Sequence, residues 1–177
     1  MNRRMTSAIT LSSLSALTLV AAFVGWSAMT EPFPEAEDQP VCVSTELTKG
    51  QIVFPGQVAI SVHNASRRNG LASSTMNDLT TRGFVSAGTG NAPETTTVRN
   101  VQIWADNAKN PAVALVRAQF RSAKVVSGDA LGLGVVIVVG DGNAALRPPG
   151  KSPTSITARS QSRICSPPGS DEDLAAP

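Results

Sequence analysis

The first 30 residues carry two charges, Arg3 and Arg4, and Met5 to Thr30 is an uninterrupted uncharged run. Within it, Ala8 to Met29 is apolar apart from six Ser or Thr. About 20 apolar residues suffice to cross a bilayer, so the length predicts a membrane anchor over 1–30. Glu31, Glu35, Glu37 and Asp38 follow the run. Positive residues stay on the cytoplasmic side, which predicts a single pass with the N-terminus inside and residues 31–177 outside. A signal peptide cleaved after about Ser27 is the alternative, with Gly25 and Ser27 as the small residues, and it would make the protein secreted. Both readings place the rest of the chain outside the cytoplasm.

Cys42 and Cys165 are the only cysteines. In an oxidising compartment such a pair is expected to close a disulfide, here around nearly the whole domain; two unrelated free thiols are the alternative.

Charge and composition exclude several functions. The chain holds 15 basic and 13 acidic residues, a net +2, and seven aromatics. That argues against a nucleic-acid partner, which calls for a strongly basic face or stacking platforms. Two Cys and one His cannot form a four-ligand zinc site unaided, so neither metal nor cofactor is expected. One His and no Tyr leave little for acid–base chemistry at neutral pH.

Four segments are predicted: the anchor at 1–30, an acidic and Pro-containing linker at 31–57, a folded domain at 58–147, and a Pro/Ser-rich disordered tail at 148–177. In the domain, Val58, Ile60 and Val62 alternate with Ala59, Ser61 and His63, as a strand requires. Leu71, Thr75, Met76 and Leu79 recur at helical spacing, with Gly83 as the C-terminal glycine. Phe84-Val85 begins a short strand that ends at Gly88-Thr89-Gly90-Asn91, and Val98–Ala105 is the next. Asn110-Pro111 opens a second helix with Val113, Val116 and Phe120 as its buried stripe. Lys124–Val126 and the apolar run Val135–Val139 are further strands. The predicted fold is α+β: a small mixed sheet of four or five strands with two helices on one face, in the ferredoxin-like order β-α-β-β-α-β.

The segment Val58-Ala-Ile-Ser-Val-His-Asn-Ala-Ser-Arg-Arg-Asn-Gly-Leu-Ala72 is similar to the opening of the LytR C-terminal domain family. That family begins with an apolar strand, then a polar turn and Gly-Leu-Ala at the helix start. Gly83-Phe84, Asn91, Val101-Gln-Ile-Trp104 and Gly134-Val-Val-Ile-Val-Val-Gly-Asp141 resemble its later marks. The likeness covers about 58–142. It implies a cell-envelope location, as in small envelope proteins that carry the domain behind one transmembrane helix. It implies no transferase chemistry and names no ligand.

Candidate binding residues are Asn64, Ser66, Arg67 and Arg68, in the loop before the first helix. A helix N-terminus beside two arginines suits a carboxylate or phosphate on a cell-wall polymer or an anionic lipid. The loop reads first as a self-satisfied turn with solvated arginines, because it has no phosphate-cradling glycine pattern. Trp104, opposite Ile103 on its strand, could stack on a sugar or anchor a membrane-protein partner if exposed. His63 lacks a nucleophile motif and is expected to be a surface or edge-packed His. Gly132-x-Gly134 precedes a strand and is no dinucleotide fingerprint. The expected function is a non-enzymatic extracytoplasmic interaction module serving envelope assembly or integrity. The alternatives are a secreted structural or adhesive domain and a small hydrolase or transferase using His63.

Overall fold

The computed structural model describes residues 14–26, 42–142 and 144–170. The chain divides into two compact units, Met1–Gln39 and Pro40–Pro177.

In the first unit, helix α1 covers 14–26. At 1.5 Å per residue the described stretch spans about 20 Å, against about 30 Å of bilayer hydrocarbon. No helix among the described residues is long and apolar enough to cross a membrane. The other residues of the expected span, 8–13 and 27–29, lie outside the described residues.

In the second unit the elements run β1 Val43–Leu47, β2 Ile52–Val53, β3 Ala59–Asn64, α2 Leu71–Thr80, β4 Val85–Asn91, β5 Val101–Trp104, α3 Pro111–Gln119, β6 Ala123–Val126, β7 Val135–Val139, β8 Ile156–Thr157 and β9 Ser162–Ser166. The five-stranded sheet has the order β4-β3-β7-β5-β6. Strand β3 is parallel to both β4 and β7, β5 is antiparallel to β7, and β5 and β6 are parallel.

The α+β class and the mixed sheet agree with the sequence, and the ferredoxin-like order does not. A ferredoxin-like sheet inserts a strand between the two parallel strands of each βαβ unit. Here β3 bonds directly to β4, and β5 directly to β6. The closing strand accounts for this. All five residues of Val135–Val139 are buried, so β7 has two apolar faces and takes the centre of the sheet. Strand β4 also runs on through Gly88–Asn91, where the sequence suggested a stop. The pairing shifts between Ile60 and Ser61, and Gly88 sits at φ +138 where it does.

Local chemistry fixes the helices. Ala72, Thr75, Met76 and Leu79 line the buried face of α2. The helix hands over to β4 at Gly83, whose φ of +90 favours glycine. Asn110 caps α3, its side-chain oxygen accepting the Ala112 N–H at 2.9 Å, and Pro111 fills the first turn. Met76, Leu79, Leu115 and Val116 pack with Ile60, Val62, Ile103 and Ile137 in one core, so both helices feed the same cluster. Val98, Val136 and Val138 form a second cluster with Trp104 and Leu131.

The expected linker and tail are largely folded. Strand β1 pairs antiparallel with β9, and β2 with β8. Leu47, Val53, Ala158 and Ile164 join the main core at 4% exposure or less. Thr45 and Leu47 point inward between exposed Ser44 and Glu46, an alternation that the Pro and acid content around it masked. Residues 31–41 and 171–177 of those two segments lie outside the described residues. Cys42 and Cys165 form the expected disulfide, with Cα atoms 5.3 Å apart across 123 positions of sequence.

Candidate functional site

Asn64 ends β3 and organises the loop that follows. Its side-chain oxygen accepts the Ser66 N–H at 2.9 Å and the Ser66 hydroxyl at 2.7 Å. Its amide nitrogen donates to the Arg68 carbonyl at 2.7 Å. The Arg68 N–H goes to the Ser66 hydroxyl, and the Arg67 N–H goes to the Asp141 carboxylate at 2.9 Å. The Arg68 guanidinium donates to the Gly142 carbonyl at 3.1 Å. An anion cradle needs free backbone donors. In this loop the amides of Ser66, Arg67 and Arg68 all have acceptors, and Asp141 already supplies the anion. The arginine side chains are exposed.

Trp104 is half-buried and stands away from this loop. It pairs with Val136, whereas Asn64 pairs with Val139 at the other end of β7. Its indole N–H donates to Gln102 at 3.1 Å. A Cβ on Gly128 would lie 2.5 Å from the ring, so backbone covers that part of it.

His63 is 8% exposed, and neither ring nitrogen has a hydrogen-bond partner among the described residues. Gly90 and Gly132 wall it in: a Cβ on either would come within 3.0 and 3.2 Å of a ring nitrogen. Ser61 lies beside it, its hydroxyl donating to the Leu133 carbonyl at 2.6 Å. Both groups are packed inside, whereas the sequence left His63 either on the surface or packed at an edge.

Residues that the sequence did not single out hold the C-terminal segment over the helices. Arg82, just beyond α2, donates to Gln119 and Ser152 at 3.0 Å each and to the Arg147 carbonyl at 2.6 Å. Gln119, 2% exposed, donates to the Pro153 carbonyl at 2.9 Å. Arg147 donates to the Phe120 carbonyl at 2.9 Å, and the Asn110 amide donates to the Arg163 carbonyl at 2.7 Å. A buried glutamine at the apolar end of a helix was the available signal.

These bolts create a cleft of about 820 Å³ between α3 and the segment from Arg147 to Ser160. Lys109, Arg117, Arg147, Lys151 and Arg159 line it, and no carboxylate does. All five are exposed. Lys109, Arg117 and Arg147 lie within the predicted domain and Lys151 and Arg159 in the expected tail, so only the fold assembles them.

Residues 57–142 match the family model for the LytR cell envelope-related transcriptional attenuator. No curated protein matches the sequence. Among solved structures, the chain is similar to the soluble domain of a conserved hypothetical secreted protein from Mycobacterium marinum. The identity is 25% over 58% of this chain and 69% of that one, with a TM-score of 0.46.

Proposed function

We propose that this chain, whose residues 57–142 match the LytR C-terminal family model, serves as a non-enzymatic interaction module held on the outer side of the cell membrane. The Cys42–Cys165 disulfide carries this reading. It closes the two ends of the folded unit on each other, and such clasps persist in oxidising compartments. The N-terminal segment fits an anchor, since Leu14, Leu17, Val20, Phe23 and Trp26 are each more than 60% exposed on α1. The packed state of His63 and Ser61 supports a binding role over a hydrolytic one. The Ser61 hydroxyl beside the ring donates to the Leu133 carbonyl and not to the imidazole.

The test is topological. The full chain is expressed in a bacterial host, the cells are fractionated, and the membrane-bound protein is exposed to protease from outside. The expected result is full-length protein in the membrane, cut only from the outer side, that gains two hydrogens in mass on reduction. A truncated protein in the medium would move the reading to a secreted domain. A protected domain with free thiols would reverse the topology and end the proposal.

A further inference from the structure

The geometry points to the cleft between α3 and the Arg147–Ser160 segment as a binding trough for a linear polyanion, a glycan strand bearing phosphate or carboxylate groups. The inference rests on the extracytoplasmic reading only for the choice of a glycan; the site itself rests on the fold.

The charge is the first part of the argument. Five cations converge there from two separate stretches of chain, with no acid among them. Arg147 is fixed at the cleft wall by its bond to the Phe120 carbonyl, while Arg163 pairs with Glu46 at 2.7 Å, Arg82 is held by Gln119, Ser152 and a carbonyl, and Arg68 reaches the Gly142 carbonyl, all outside the cleft. Like charges gathered along a concave wall focus the field and concentrate anions.

Shape is the second part. Pro111, Ala114 and Ala118 lie along one face of α3 and present little bulk. With Ile156 they are the more buried, apolar part of the lining, and the cations are its exposed part. An apolar lining of this kind takes the carbon skeleton of a sugar chain while the cations take its charged groups.

The kind of donor is the third part. A site for one small anion converges backbone N–H groups and a fixed fork on a point. Here the donors are long exposed side chains spread along a trough, which match a row of anions by charge and tolerate variation in spacing. A flat bilayer surface cannot enter the trough, so a single strand fits it better than a membrane does.

The experiment measures binding of the full chain in neutral detergent micelles to two probes, polygalacturonate and inorganic polyphosphate. It also measures binding to phosphatidylglycerol vesicles. Both chains are expected to bind, more weakly as salt is added, while free phosphate at equal charge fails to compete. The triple variant Arg117→Gln, Lys151→Gln, Arg159→Gln should weaken binding about tenfold. Arg67→Gln with Arg68→Gln should leave it unchanged. Arg117→Glu alone serves as a second variant, checked for an unaltered melting temperature, and should also weaken binding. Equal affinity of the triple variant and the wild type would overturn the site. Binding to vesicles alone would overturn the polymer and make this face a membrane contact. A chain that binds polyanions but proves to be inside the cell would fail the location reading and leave the trough standing.

Discussion

Arg82 and Gln119 meet at 3.0 Å, guanidinium N–H to amide oxygen, and between them they fasten the C-terminal segment to both helices. Arg82 makes two further bonds, to Ser152 and to the Arg147 carbonyl, and Gln119 reaches the Pro153 carbonyl. Arg82→Met should therefore strand the buried Gln119 oxygen as well as lose its own bonds. An unsatisfied buried acceptor costs about 1–3 kcal/mol. We expect about 2–3 kcal/mol of destabilisation by denaturant unfolding. Amide exchange should rise across 147–153 more than in β3 or β7. An unchanged exchange pattern in that segment would show that the segment is held by other means.

The central elements were legible as elements: Val58–Val62 alternates in sequence, although the structure buries both faces of β3, Leu71–Leu79 repeats at helical spacing, and Asn110-Pro111 marks a helix start with side-chain chemistry that the structure reproduces. Strand order was not legible, since it depends on which strand has two apolar faces in three dimensions, and β7 wins that competition. The outer strands were missed for another reason. Val43–Leu47 and Ser162–Ser166 each bury few side chains, in stretches whose Pro, Ser and charge suggest solvated chain. They are held by pairing with each other, a non-local property. The candidate loop was legible as a turn around Asn64, but its partner Asp141 lies 74 positions away.

The clasp should contribute through the unfolded chain. Cys42 and Cys165 enclose 123 positions, and the loop-entropy model gives about 4–5 kcal/mol for a closure of that order. The double variant Cys42→Ser, Cys165→Ser should lose about that much in denaturant unfolding. Reductant added to the wild type should reproduce its melting temperature. A double variant as stable as the oxidised wild type would mean that β1 and β9 hold the closure without the sulfurs.

Gly134 opens β7 at φ +74, and a Cβ there would collide with the Ala59 carbonyl on β3. Side chains rarely adopt that backbone conformation, so Gly134→Ala combines strain with a clash against backbone that cannot rotate away. The expected cost is about 2–4 kcal/mol. Gly150→Ala is the control, because nothing lies within 4 Å of its added methyl and its φ is not positive. Its melting temperature should match the wild type, and an equal loss in both variants would rule out the clash as the cause.

His63 and its glycine walls provide the sharpest contrast between a packed histidine and a working one. Its ring is buried between Gly90 and Gly132 with both nitrogens unpartnered among the described residues. Replacing a buried polar group that makes no bond by an apolar one of similar size is neutral or stabilising. His63→Leu should therefore leave stability unchanged or raise it by about 1 kcal/mol. Gly132→Ala should do the opposite. Its methyl would lie 2.6 Å from the Ser61 hydroxyl and 3.2 Å from the His63 ring, and overpacking of this kind costs about 1–3 kcal/mol. Thermal unfolding of the two variants beside the wild type decides the matter. A markedly destabilised His63→Leu would reveal a bond to the imidazole that its packing does not suggest, and would reopen a chemical role for the only histidine in the chain.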